Sequence, residues 1–210
     1  MAYRRTAFTP GEWYHCYTRG VEKRRVFENS RDYERFLEGL YLSNSVEQTP
    51  RGNFQHLSHG EILQLPRVGA LVAVGAYCLM PNHFHILLKE LRPNGITKFM
   101  QRLGTSYTMY FNVKNERVGG LFVTPFRSKH IADDRYYQRV AQYIHLNPAD
   151  VVGFTRIAEY RYSSLLDYYG EVRDARAILD KESFNLLRAT MPPYKKLVTE
   201  AAEYHASLKS

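Results

Sequence analysis

The chain is poor in several residue types, and each shortage narrows what it can be. Only two of its 210 residues are cysteine, Cys16 and Cys78. Two thiols give neither a disulfide framework nor a four-cysteine zinc site, and both read as buried thiols in a reducing compartment. No run approaches the roughly 18 apolar residues that a membrane span needs. "MAYRRTAFTP" carries charge with no apolar core behind it, so no secretion signal is expected and the cytoplasm is the expected compartment. Internal repeats and low-complexity blocks are missing too. Acidic residues are outnumbered, 21 against 29 Lys and Arg, for a net charge of +8. That balance favours an acidic partner, with nucleic acid the first candidate.

What is present is a globular composition, 44% hydrophobic and 24% charged, enough for a real core. Aromatics are unevenly spread: 17 Tyr and 11 Phe beside a single Trp. Tyrosine can pack, stack on bases, bond to phosphates or act as a nucleophile.

"EWYHCYTRG" (12–20) reads as a strand ending at Gly20. "NSRDYERFLEGLYLSN" (29–44) spaces Tyr33, Phe36, Leu37, Leu40 and Tyr41 by threes and fours behind Ser30, taken as the cap of an amphipathic helix. Residues 45–69 hold two prolines and three glycines without periodicity, and read as a long inserted loop. "ALVAVGAYCLM" (70–80) is a buried strand that Pro81-Asn82 turns into a second, "HFHILLKE". A helix follows over 95–115, with Ile96, Phe99, Met100, Leu103, Tyr107, Tyr110 and Phe111 inward. "GGLFVTPFRSKHI" (119–131) is extended around Pro125. The next helix starts at an Asp cap and stops where Asn147-Pro148 must stop it. A helix around 180–190 and a short helical tail complete the chain. The order β-α-(loop)-β-β-α-β-α specifies an α+β fold, an antiparallel sheet with helices packed on it.

Two clusters carry chemistry. In a strand, i and i+2 share a face, so His83 and His85 project together, about 7 Å apart at the backbone and able to converge on one ion. An oxygen third ligand would bias such a site to Mg²⁺ or Mn²⁺, a thiolate or third His to Zn²⁺. The bland alternative is one exposed and one hydrogen-bonded strand histidine. In "QYIHLNP", Tyr143 and Asn147 lie four apart on one helical face, placing a phenol and an amide together; the bland alternative is a packing tyrosine and a capping asparagine.

"YCLMPNHFHILL" followed by "YIHLNP" resembles the single-tyrosine HUH transposases of the insertion-sequence-200/605 type, and within them the REP-associated tyrosine transposases. The resemblance runs over about residues 12–166, through "YHCYTRGVEKRRVFENSRDYERFL", "KFMQRLGTSYTMYFN", "GGLFVTPFRSKHI" and "YRYSSL", and omits mainly 45–69. It implies a ferredoxin-like or RRM-like HUH endonuclease fold over 1–170, with 171–210 a C-terminal helical extension. It implies His83 and His85 as metal ligands, Asn147 as the polar third ligand, and Tyr143 as the nucleophile. Mg²⁺ or Mn²⁺ would be the cofactor; no nucleotide cofactor is expected, and no P-loop pattern occurs. The implied activity is nicking and rejoining of hairpin-containing single-stranded DNA, such as REP hairpins, through a 5′-phosphotyrosine, by a monomer in preference to a homodimer.

DNA contacts are expected from Arg127 above all, with Lys129, Arg19, Arg24 and Arg25. Arg4, Arg5, Lys23, Arg135 and Arg139 add to the basic surroundings. His130 and His145 are set aside, His145 because two residues on a helix turn it away from Tyr143. Tyr107, Tyr110 and Tyr136 are the rival nucleophiles. The competing readings are a non-catalytic, domesticated module that binds structured nucleic acid, and a phosphohydrolase in which water replaces the tyrosine. The 45–69 segment is offered only a possible DNA contact, through Arg51, His56 or His59.

Overall fold

A computed structural model describes residues 7–47, 54–170 and 173–207. Four antiparallel strands form one sheet in the order β2-β3-β1-β4: β1 Trp13–Arg19, β2 Val72–Met80, β3 His83–Glu90 and β4 Arg127–Ile131. Helices α1 (Ser30–Leu42) and α3 (Gly95–Lys114) cover one face, and α4 (Asp134–Leu146) lies on the other. Three short helices join them: α2 (His59–Ile62), α5 (Ala149–Val152) and α6 (Leu165–Tyr168). Two longer ones, α7 (Lys181–Thr190) and α8 (Tyr194–Ser207), form the C-terminal end. The α+β class, the antiparallel sheet and the element order match the sequence reading.

Strand alternation sorts the side chains. Directly opposed pairs Tyr14–Leu88, Cys16–Ile86 and Thr18–Phe84 point towards α1 and α3. There Phe84 meets Phe36 and Phe122 with ring centroids 4.8 and 5.4 Å apart. Pairs Tyr17–His85 and Arg19–His83 point the other way, towards the α4 side. Both cysteines are buried, as expected.

Small details set α4 in place. Its N-cap is Asp133, whose carboxylate accepts the Tyr136 N–H at 2.8 Å. Tyr137, Val140, Ala141 and Ile144 form its buried stripe. The β2 bulge between Val74 and Ala76 falls at Gly75, where an added Cβ would lie 2.6 Å from the Tyr137 hydroxyl and 3.0 Å from the Trp13 ring. Glycine therefore lets the helix seat directly on the sheet.

One sequence expectation is corrected and three are refined. Asn29, not Ser30, caps α1: its side chain accepts the Asp32 N–H while Asp32 accepts the Asn29 N–H. Within 45–69, the described residues 54–69 include short helical turns. Ser58 caps the turn of α2 in a capping box with Glu61, His59 lies 3.3 Å from the buried Glu38 carboxylate, and the Arg67 guanidinium sits 3.9 Å over the Tyr41 ring. His59 is thus tied to α1; Arg51 lies outside the described residues. Within 119–131 only Arg127–Ile131 forms a strand, after the cis Thr124–Pro125 bond. The C-terminal segment packs into the common core through Ile178, Leu179, Phe184 and Leu187, and Asp180 N–H donates to Val74 O at 2.9 Å.

Candidate nucleic-acid cleavage site

β3 delivers the two histidines. His83 Nδ1 donates to Asn82 Oδ1 at 2.6 Å, and His85 Nδ1 shares a 2.8 Å hydrogen bond with His15 Nε2. The two rings lie 5.1 Å apart and nearly perpendicular. Each imidazole is thus held through Nδ1. With His85 as the donor to His15, its Nε2 lone pair is available. Anchoring of one ring nitrogen is how metal-binding histidines are oriented.

α4 brings Tyr143 over this pair. Its ring sits 5.6 Å from His85 and 6.0 Å from His15, edge-on to both. Yet the residue is 54% exposed, so a substrate can reach its hydroxyl. Asn147 is the C-cap, one residue past the last helical position; its amide donates to Tyr143 O at 2.8 Å. Its side chain also interacts with His83. The structure therefore gathers Tyr143, Asn147, His83 and His85, the four residues singled out in the sequence, into one place.

Burial, reinforced by the Lys129 ammonium, pulls His15 down to about 4. Burial, with His15 and His83 beside it, takes His85 to about 3. Burial and Arg19 also lower His83, while Asn147 and Asp150 act in the opposite direction. Neutral imidazoles are the ligand form. Among the described residues no three His, Cys, Asp or Glu side chains converge as metal donors. The candidate set is therefore two anchored imidazoles and an amide oxygen, a mixed nitrogen–oxygen set that fits a small divalent cation.

The rival tyrosines are poorly suited to attack. Tyr107 is buried, donates to Val26 O at 2.5 Å, and is held well above the ordinary phenol range by burial and the nearby Asp32. Tyr110 is bonded to Asp32 at 2.8 Å and pushed up to about 12, by burial first. Tyr136 lies under Lys129, whose Nζ is 5.1 Å from its ring, and not over the histidines. His130 pairs with Glu12 at 2.8 Å. His145 is buried and bonded to Ser164 Oγ at 2.8 Å, turned away as its spacing requires.

The predicted cations divide. Arg19 and Arg127 line a cleft of about 350 Å³ that also includes His83, Asn82 and Lys23. Arg25 joins Lys23 at a second concavity on the other side of Asn82 and His83. Lys129 is exposed beside Tyr136. Arg24 is spent locally, bonded to Val21 O and Glu22 at 3.3 Å each. Arg135 and Arg139 are exposed on α4, and Arg4 and Arg5 lie outside the described residues.

Three site residues escaped the sequence reading: His15, Tyr17 and Asn82. Tyr17 stacks on His85 at 5.5 Å and 24°. The available signal was the i, i+2, i+4 row His15-Tyr17-Arg19, which puts three polar side chains on one face of a strand otherwise buried on the opposite one.

No curated protein matches this chain in sequence. A solved structure of a REP-associated tyrosine transposase bound to a REP hairpin matches it with a TM-score of 0.55 over 80% of this chain and 85% of that one, at 12% identity. At that identity the likeness establishes the shared fold. No helix among the described residues is long and apolar enough to cross a membrane. Residues 69–147, which run from the start of the histidine hairpin through the tyrosine helix to Asn147, match the family model described as IS200-like transposase.

Proposed function

We propose that the protein is a metal-dependent DNA strand transferase that nicks and rejoins hairpin-containing single-stranded DNA through Tyr143. The observation that carries the reading is a half-exposed tyrosine seated over a pair of anchored, neutral histidines beside a basic cleft. The structural relative bound to a REP hairpin supports hairpin DNA as the substrate class.

In the reaction the Tyr143 hydroxyl oxygen attacks the scissile phosphorus and the bond to the 3′ oxygen breaks. The phenol proton is lost to solvent, and the departing 3′ oxygen takes one up. One phosphate ester replaces another, so a second 3′-OH can reverse the step without ATP or any nucleotide cofactor. Mg²⁺ or Mn²⁺ held by His83, His85 and Asn147 would polarise the phosphate and offset the charge that builds on it. His15 and Asn82 hold the two imidazoles in orientation, and the amide of Asn147 ties its own position to the tyrosine's turn of helix. Arg19, Arg25, Arg127 and Lys129 neutralise backbone phosphates. Because Tyr143 already lies over the histidines of its own chain, a monomer is sufficient for catalysis.

The test is a denaturing gel of the protein with end-labelled hairpin DNA in Mn²⁺ or EDTA. A labelled band at protein mass, present only with metal, is the expected result. Hairpin binding on native gels with no such band across a varied hairpin set would replace this reading with a non-catalytic binding module.

A further inference from the structure

The cleft beside His83 has walls of two chemical kinds. Tyr17, Val123 and Pro125 supply an aromatic and apolar side; Arg19, Lys23 and Arg127 supply three cations. None of these cations has an ion pair among the described residues. Stacking against His85 fixes the plane of the Tyr17 ring.

The framework around the cleft is rigid. Val123 N–H donates to Arg19 O at 2.8 Å, Thr18 Oγ1 donates to Val123 O at 2.7 Å, and Gly20 bridges to Phe122. The cleft therefore exists before any ligand arrives. An aromatic plane with three unpaired cations close by suits a flat, uncharged ring carrying phosphates, and about 350 Å³ limits it to a small ligand. A duplex presents no free base face, so the occupant must be unpaired.

Its place follows from the layout of the sheet face. The Tyr143 ring contacts His85 and His15, and the cleft is lined by His83, Arg19 and Tyr17, whose ring contacts the same two histidines. Nucleophile and cleft thus both border the histidine cluster.

We propose that this cleft is a preformed pocket for one unpaired nucleotide next to the scissile phosphate, with its base on Tyr17 and a backbone phosphate on Arg19, Lys23 and Arg127. Its place next to the scissile phosphate rests on the strand-transfer reading above; the pocket itself does not. Base identity at this position is then read by the protein, not by pairing.

The four deoxynucleoside 3′-monophosphates and their 5′ isomers, titrated calorimetrically into the full chain in EDTA, test the pocket. At least one of these mononucleotides should bind. Tyr17→Leu and Arg127→Gln should each weaken that binding about tenfold, and Tyr17→Phe should retain it. Lys98→Gln, on the far side of the sheet, should change nothing, and circular dichroism melts confirm that each variant is folded. Absence of mononucleotide binding, or equal affinity in the Tyr17→Leu and Arg127→Gln proteins, would overturn the pocket. The adduct gel separates the two claims: pocket-dependent binding without adduct retires strand transfer and keeps the pocket, and adduct without such binding does the reverse.

Discussion

The two faces of the sheet are made by the same strands and do opposite work. Towards α1 and α3, alternate residues are Cys16, Phe84, Ile86 and Leu88, all buried in a continuous apolar core. Towards α4, the intervening residues are His15, Tyr17, Arg19, His83 and His85, with Arg127 and Lys129 alongside on β4. Phe84 sits between the two histidines in sequence and on the opposite side in space. One face is closed by packing; the other is left partly open around its polar groups. A single residue step along β3 therefore separates stability from chemistry.

Substitutions on the two faces should separate accordingly. The largest effect is expected from Tyr143→Phe, which should cut covalent adduct formation by at least about a thousandfold while leaving fold and DNA binding intact. Quantified gels and thermal melts check both halves. On the core face, Phe84→Ala should cost about 3–5 kcal/mol in urea unfolding, with adduct yield per folded molecule preserved. A Phe84→Ala protein that stays stable and loses cleavage would break the division between faces. Next, His83→Ala should lower metal-dependent cleavage by about 10- to 100-fold with hairpin binding largely retained, measured by single-turnover kinetics and native gels.

Acid should weaken the fold through the histidines that are kept neutral. Burial, with Lys129 near one and Arg173 near the other, lowers His15 to about 4 and His145 to about 3 from an ordinary 6.5. Below pH 6.5 the unfolded chain takes up protons that the folded chain refuses, so this stability is complete above 6.5 and declines as pH falls towards 4 and then 3. Urea midpoints across that range should drop, and His145→Gln should flatten the drop. The smallest effect belongs to Arg127→Ala, which should reduce the log–log salt slope of hairpin binding by about one.

The division between faces was partly legible in the sequence. Period-two alternation put His83 and His85 together, and Asn147-Pro148 fixed where the tyrosine helix had to end. Those are local signals, carried by neighbours in the chain. His15 and Tyr17 were not legible as site residues, because their role depends on β1 pairing with β3 in one register, which only the assembled sheet sets. Asn82 was read as turn chemistry alone, although the same side chain anchors His83. The described residues 54–69 lack periodicity because they are held by long-range ties, His59 to Glu38 and Arg67 to Tyr41. The cap of α1 was misplaced by one residue, since Asn29 and Ser30 are both good caps and only geometry separates them.

The central claim is that Tyr143, and no other of the tyrosines around the site, bears the DNA. Digestion of the metal-dependent adduct followed by peptide mass spectrometry tests it directly. The account predicts a 5′-linked nucleotide mass on the peptide containing Tyr143 and on no other. The same mass on Tyr17 or Tyr136 would contradict it.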